Sequence, residues 1–405
     1  MDAGTILGDT ANGNWIGGER RQAADGDRFV LRAAGSGADS LGSWPRSRSP
    51  ELLDALNAAE RAHAWAAMPM DVRCDLVSTA LDLLAEDPDP QGVTARALGL
   101  SDAELRAHLD ALWTRLDGAA DADRWDGSSG AVLCAPHWSE LFAGLADAVL
   151  ALEDGHSVCL LSCSPLTGIA DRLAQALHAA GLTPGAFSVL HDDGGGALRC
   201  AAELGASGLI AGFSLSGPGD PPAMRSSPGP VRVRRDQAFG AGLSAQPDQV
   251  QEARSDFRHL SRAEVHVGLE EDLDAAAGRV LEAALGRSVL GGQLPGQAAL
   301  VTCHARAFSE FTEALLGRLD REKMPIGGLY CDPDVARELL HARELGLDEG
   351  AALIGECGPA AERSSPSESP GGSLGWLVFT NVERTMRLAS LTRPAPMLLL
   401  VRGEG

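Results

Sequence analysis

Between residues 131 and 216 the sequence alternates short apolar runs with helical segments, and this pattern constrains the fold more than any other feature. The apolar runs have the length of strands and cover 131–134, 157–161, 186–190 and 209–213. Strands that are joined through helices favour a parallel sheet covered on both faces. We therefore predict a doubly wound α/β fold with its core at residues 131–216.

Helical patterns flank this core on both sides. Before it, apolar stripes begin near Ser49, Asp71 and Ser101. Ser49 is expected to cap its helix with Pro50 at the first helical position, and Ser101 is expected to form a capping box with Glu104. After the core, helical patterns cover about 272–285, 308–319 and 334–345, and an apolar strand covers 397–401.

Two stretches rich in Gly, Pro and Ser, residues 217–231 and 358–374, predict loops. The strand over 397–401 is expected at an edge of its sheet, where a neighbouring chain could complete it. The sequence contains no internal repeat.

The charge balance excludes two classes of partner. Thirty-four Lys and Arg against 56 Asp and Glu give a net charge of -22, which repels a phosphate backbone or an anionic bilayer, so neither nucleic acid nor a membrane is expected to be bound. The first residues lack the basic start of a signal peptide, and no apolar run approaches the roughly 18 residues of a membrane span. The eight cysteines show no framework spacing, which predicts reduced thiols and a cytoplasmic location.

A series of short motifs along the chain resembles the aldehyde dehydrogenase superfamily over nearly the whole length. Residues 12–16 are similar to that family's opening hairpin, and 151–160 to its ALAAGN-x-VVLKPS strand. The other matches keep the family's order: 180–185 with AGLPPG, 212–216 with FTGS, 272–276 with DADLDAA, 292–304 with the GQ-x-C stretch, and 380–396 with the approach to EEIFGPVL.

This resemblance implies a Rossmann-like parallel-sheet domain followed by a second α/β domain of the catalytic type. The first would cover 1–235, a Gly/Pro-rich linker region 217–260, and the second 261–405. The stretch between Leu112 and Ala131 is short for the family's oligomerisation arm, and the sequence stops after Val401 without the PFGG segment. The resemblance therefore implies a reduced or absent arm, a C-terminally truncated second domain and no family dimer interface of the usual kind.

Members of the family oxidise aldehydes with NAD or NADP through a Cys nucleophile, an Asn oxyanion donor and a Glu base. Counting from Gly292-Gln293 places Pro295 at the nucleophile position, and counting from the second Gly-Gln places Ala299 there. Proline has neither a nucleophile nor a backbone N–H. Trp138 stands where the Asn is expected, and the cationic Arg234 lies near the base position. We expect no catalytic residue at these positions.

The cofactor positions implied by the resemblance are also substituted. Leu161 replaces the ribose-binding Lys, Leu215 the Gly of FTGS, and Thr392 the ribose-binding Glu, so only Ser216 matches. NAD or NADP is the cofactor implied, and these substitutions argue against its binding. The acids at 192–193 and 270–272 are interpreted as turn and helix-cap residues, so no metal site is predicted.

Three hypotheses remain open. The first is a non-catalytic pseudoenzyme that binds a protein partner, such as a complete paralogous subunit, or a metabolite. The second is a divergent NAD(P)-dependent oxidoreductase for an aldehyde or acyl substrate, with Cys163 or Cys303 as nucleophile. The third is a nucleotide sensor without redox chemistry.

Three further groups of residues are candidates for a functional role. Cys303 and His304 are expected to be structural, because neighbouring strand residues point to opposite faces. The glycines at 194–196 predict a surface loop, and residues 137–140, after a strand's carboxyl end, are the best candidates for a pocket.

Overall fold

The computed structural model describes residues 12–34, 39–89, 92–117, 125, 131–136, 138, 143–193, 197, 199–201, 210–216, 231–234, 263–286, 291–293, 298–322, 329, 333–357, 375–391 and 395–404. The chain divides into two compact units. The first comprises Met1–Ala33, Asp39–Gly217 and Pro221–Arg234; the second comprises Arg235–Gly405 with the segments Ala34–Ala38 and Pro218–Asp220.

The first unit is built on a sheet of seven strands. In chain order the unit's strands are β1 (Asn14–Ile16), β2 (Glu19–Arg21), β3 (Arg28–Arg32), β4 (Ser40–Pro45), β5 (Ala131–Ala135), β6 (Ser157–Cys163), β7 (Phe187–Asp192), β8 (Ile210–Ser216) and β9 (Val231–Arg234). The order across the sheet is β2-β1-β7-β6-β5-β8-β9. From β7 to β9 all neighbours are parallel, which confirms the predicted doubly wound core.

Residues 231–234 lie in the predicted linker region. They form a strand, β9, that pairs in parallel with β8. The rest of 217–260 lies outside the described residues, as does the predicted loop over 358–374. The separate hairpin of β3 and β4 was not predicted; Phe29, Leu31 and Trp44 on it pack against the helix that contains Val93 and Ala97.

Helices cover both faces of the seven-stranded sheet. Within the described residues they are α1 (Ser49–Arg61), α2 (His63–Ala66), α3 (Met70–Glu86), α4 (Val93–Leu98), α5 (Asp102–Asp117), α6 (Ala143–Glu153) and α7 (Thr167–Ala179). Leu52 and Leu56 of α1 pack with Phe213 on one face. On the other face, Asp147 of α6 accepts a hydrogen bond from Ser214, the next residue along β8.

The start of α1 differs by one residue from the sequence prediction. Arg48 rather than Ser49 is the N-cap, so Pro50 is the second helical residue. The buried carboxylate of Glu51 accepts hydrogen bonds from the backbone N–H groups of Arg48 (2.8 Å) and Ala24 (2.6 Å). The local bond between Arg48 and Glu51 closes the first turn at Arg48, and Ala24 adds a contact from outside the helix. The capping box of Ser101 is confirmed.

The second unit has a five-stranded sheet in the order β10-β11-β14-β13-β12. Its strands are β10 (Ala263–Val267), β11 (Ala298–Cys303), β12 (Ala352–Cys357), β13 (Trp376–Thr380) and β14 (Met397–Arg402), and only β12 runs antiparallel to its neighbour. The described helices are α8 (Leu273–Leu285), α9 (Phe308–Glu322) and α10 (Pro333–Asp348). Helices α8 and α9 supply one core with Phe311, and α10 supplies the other with Phe379.

The last strand lies at the centre of this sheet, which corrects the expectation that it forms an edge. Strand β14 pairs in parallel with β11 on one side and with β13 on the other. The residues from Met397 to Val401 are buried, because both faces of the strand contribute to the two cores. The sheet edges are β10 and β12. No described helix is long and apolar enough to cross a membrane.

Candidate functional site

The topology of the first unit defines where a ligand can bind. The chain runs from β5 to β6 and β7 on one side of the sheet and then crosses to β8 and β9 on the other side of β5. In open α/β sheets, ligands bind outside the carboxyl ends of the strands at such a reversal. We call residues 134–136, 138, 161–163 and 214–216, at the carboxyl ends of β5, β6 and β8, the switch-point edge.

The structure brings five of the predicted site residues to the carboxyl edge of this sheet. Trp138 follows β5 and is 3 % exposed, and Leu161 is buried on β6. Leu215 pairs with Ala135 of β5, while Ser216 pairs with Arg234 at the end of β9. The backbone therefore places these five positions together.

The remaining predicted positions are not part of this edge. Ala299 is a buried residue within β11 of the second unit. Pro295 and Thr392 lie outside the described residues, as do His137, Ser139 and Glu140.

A buried hydrogen bond lies directly behind the switch-point edge. The Ser214 hydroxyl donates to the Asp147 carboxylate over 2.5 Å, and both side chains are buried. This buried hydrogen bond joins α6 to β8. Asp147 was not predicted, although a lone acid within the apolar run 145–152 indicates a buried polar contact.

The N-terminus of α7 follows β6, and one of its backbone donors is bonded within the chain. The backbone N–H of Ile169, in the first turn of α7, donates to the Thr94 hydroxyl over 2.9 Å. Helix N-termini bind anions through such free N–H groups. In α7 this donor is already engaged by a side chain of α4.

Comparison with known proteins bears on the whole architecture. No protein-family model matches the sequence, and no curated protein matches it. Among solved structures, an NAD-dependent aldehyde dehydrogenase from Sinorhizobium meliloti superposes with a TM-score of 0.70 at 19 % identity, covering 97 % of this chain and 78 % of that one. An E. coli NADP-dependent enzyme gives 0.69 at 19 %, with 97 % and 81 % covered. An NAD+ complex of a Bacillus cereus aldehyde dehydrogenase gives 0.69 at 16 %, with 97 % and 80 % covered.

The chain has the aldehyde dehydrogenase fold. This confirms the fold implied by the resemblance of the motifs, although identities below 20 % say nothing of activity. With the aldehyde dehydrogenase fold established, the chemistry of the described thiols and carboxylates can be compared with what aldehyde oxidation needs.

The pKa values of two described thiols, Cys159 and Cys303, are raised, which lowers their reactivity. Burial raises the pKa of Cys159 to about 12 and, together with the charge of Glu271, raises that of Cys303 to about 11. The nucleophilic form of cysteine is the thiolate, so both cysteines are protonated and unreactive at neutral pH. The structure therefore argues against Cys303 as a nucleophile.

The neighbouring His304 does not act as a base toward Cys303. The Cys303 thiol approaches the backbone carbonyl of His304 (3.7 Å), and the His304 Nδ1 accepts from the backbone N–H of Arg306 (3.2 Å). Cys163 differs from the buried thiols, because it is only half-buried and ends β6 at the switch-point edge.

Four of the five carboxylates considered as cation ligands are engaged by protein donors. Asp192 accepts from the backbone N–H of Ala197 (2.9 Å), and Asp193 forms two 2.7 Å hydrogen bonds with Arg46. Asp272 caps α8, and the arginine at position 279 pairs with Glu271. Among the described residues no group of three His, Cys, Asp or Glu could hold a metal ion.

Proposed function

We propose that this protein is a non-catalytic member of the aldehyde dehydrogenase superfamily, a pseudoenzyme that acts by binding a protein partner such as a complete paralogous subunit. The observation that carries the proposal is Trp138, a buried indole at the switch-point edge in the position that the resemblance gives to the oxyanion Asn. An indole offers one N–H donor and is far larger than the Asn amide that the resemblance places there.

The other chemical groups support the same conclusion. Thiolate attack needs an accessible cysteine with a lowered pKa, whereas burial raises the pKa values of Cys159 and Cys303. Hydrolysis of a thioester needs a base, and Arg234, near that position, keeps its proton at any physiological pH. Pro295, at the nucleophile position, has no group that could attack.

Loss of cofactor binding is part of this proposal. The structural neighbours include NAD- and NADP-dependent enzymes, so a nicotinamide dinucleotide is the cofactor that the fold would take. Here Leu161 places an apolar side chain where a ribose-binding Lys is expected, and Thr94 occupies the donor at the start of α7. Of the cofactor positions named by the resemblance, Ser216 alone keeps a suitable side chain.

We also propose a cytoplasmic location. The six cysteines with described side chains form no disulfide with one another, as expected where glutathione keeps thiols reduced.

Calorimetric titration tests the proposal. The purified full-length protein is titrated with NAD and NADP, each oxidised and reduced, at millimolar concentration. We expect no binding heat with any of the four, while an active aldehyde dehydrogenase titrated in parallel binds its own cofactor. One-to-one binding of any dinucleotide followed by aldehyde-dependent change in its 340 nm absorbance would contradict the proposal.

A divergent oxidoreductase is the second candidate function, favoured by the position of Cys163. Its half-buried thiol at the switch-point edge is the described cysteine best placed to meet a ligand there. This candidate requires turnover that is lost in Cys163→Ser and retained in Cys200→Ser, a control at another half-buried cysteine.

A further inference from the structure

A buried junction attaches the N-terminal hairpin of β1 and β2 to the first unit. The Asn14 Oδ1 accepts hydrogen bonds from the backbone N–H of His191 (3.0 Å) and from the Ser47 hydroxyl (2.9 Å). The backbone N–H of Ser47 donates in turn to the His191 carbonyl (2.9 Å). All three residues are 0 % exposed. One residue, His191, therefore connects the hairpin, the segment before α1 and the end of β7.

The side chain of the same residue is an isolated buried imidazole. Neither ring nitrogen completes a hydrogen bond, and only the nearby Gly13 backbone favours the protonated ring. Arg20 of β2 disfavours it electrostatically. Arg20 itself is paired with Asp171 of α7 over 2.7 Å. Burial and the charge of Arg20 lower the pKa of His191 to about 3.

Other titratable groups on the surrounding elements do not compensate a charge on this ring. They include Glu19 and Arg21 on β2, Arg172 and His178 on α7, Glu51 and Asp54 on α1, Arg46 and Arg48 before α1, and Asp192 and Asp193 at the end of β7, and none of them favours the protonated ring. Arg46 holds Asp193, Asp192 accepts from Ala197, and Arg48 pairs with Asp27. Among the described residues no ion pair involves His191. A protonated ring would thus be a buried cation beside another cation, which is costly.

We propose that His191 makes the attachment of the N-terminal hairpin acid-sensitive: protonation of its imidazole releases residues 14–21 from the sheet and uncovers the edge of β7. The proton comes from water and binds the ring only when the ring is solvated. Because Asn14 of the hairpin is bonded to the backbone of His191 in β7, departure of the hairpin breaks the junction and exposes the ring to water in one event. This inference does not depend on the proposed function.

The hairpin is a small element with one buried apolar side chain, Ile16. Strands β1 and β2 have three residues each, and β2 is wholly exposed. In contrast, β7 pairs with β6 along its whole length, and all six of its residues are buried. Elements with few buried contacts open locally before the core does. Release of the hairpin would leave β7 as an open edge strand, which can pair with another chain.

Hydrogen exchange followed by mass spectrometry tests the inference on the full-length protein. Exchange of residues 14–21 is measured from pH 7.5 to 5.5 in the wild type, His191→Gln and His178→Gln. Comparing variants at the same pH cancels the intrinsic pH dependence of exchange. His178 is the matched control, because it is an exposed histidine whose ring meets Trp15 of the same hairpin at 5.5 Å.

We expect the opening constant of the hairpin to rise about tenfold over this range in the wild type and in His178→Gln, as uptake of one proton requires. In His191→Gln it should stay constant, and β6 should keep its protection in all three proteins. An equal pH response in His191→Gln, or opening of β6 together with the hairpin, would overturn the inference.

A second measurement covers the case in which His191→Gln does not fold. In histidine-labelled wild type, NMR should show the His191 ring neutral in the closed state across this pH range. A His191 ring that titrates while the hairpin amides stay protected would contradict the proposal.

Discussion

Burial decides the chemistry of individual cysteine side chains in this molecule. At pH 8, pKa values of about 12 and about 11 leave roughly a thousandth or less of Cys159 and Cys303 as thiolate. We predict that neither is alkylated by iodoacetamide in the native protein within the time in which a free thiol reacts completely. Peptide mass spectrometry would measure this, with the protein in guanidinium as the control in which both react. Rapid native labelling of Cys303 would reopen its candidacy as a nucleophile.

At the same scale, some local contacts could be predicted from the sequence and long-range ones could not. The capping box of Ser101 and Glu104 spans three residues and forms as expected. The predicted start of α1 was wrong by one residue: Glu51 caps the helix at Arg48 through a bond that is also local, and Arg is not a residue that usually marks an N-cap. His191 was overlooked because its isolation depends on a hairpin more than 170 residues away.

At the scale of elements, a single glycine allows the turn before β7 to pack closely against the backbone of α1. Gly185, in the turn before β7, has φ of +91°, and a Cβ there would overlap the backbone carbonyl oxygen of Ala58 in α1. Gly26 has φ of +74°, but a Cβ added at Gly26 would have no atom within 4 Å. Both positions use left-handed backbone, but only one is a close approach of two chain segments.

We predict that Gly26→Ala lowers the free energy of unfolding by about 1 kcal/mol, the cost of the left-handed conformation. Gly185→Ala should cost at least about 2 kcal/mol more, because the turn must also move away from α1. Urea denaturation monitored by circular dichroism compares the two variants within one unit. Equal losses would show that the turn can shift without strain.

Strand identity and strand position are different problems at this scale. The apolar run at 397–401 predicted β14 correctly, since β14 spans Met397–Arg402. Its place between β11 and β13 depends on hydrogen bonds that no local pattern encodes. A continuous apolar run, buried on both faces, is in fact typical of a central parallel strand.

At the scale of the whole molecule, the fold followed from the sequence and much of the candidate site did not. The alternation of strands and helices predicted the parallel sheet, and the position of a strand's carboxyl end predicted that Trp138 lies at the candidate edge. The hydrogen bond between Ser214 and Asp147 could not be predicted from the sequence, because it depends on how α6 packs against the sheet. The two sheets have separate hydrophobic cores. The stability of each sheet can therefore be measured through its own strands.

The central position of β14 leads to a prediction for the second unit as a whole. Truncation after Pro396 removes a strand that pairs on both sides and contributes to both cores, so β11 and β13 lose their shared neighbour. We predict that hydrogen-exchange protection of β11 and β13 is lost in this variant, while that of β6 in the first unit is retained. Truncation after Arg402, which removes only residues beyond the strand and one hydrogen bond from Gly403 to Cys303, is the matched control and should keep all three protected. Retained protection of β11 without β14 would mean that the sheet is held from its helical faces, and that the strand is not its centre in energetic terms.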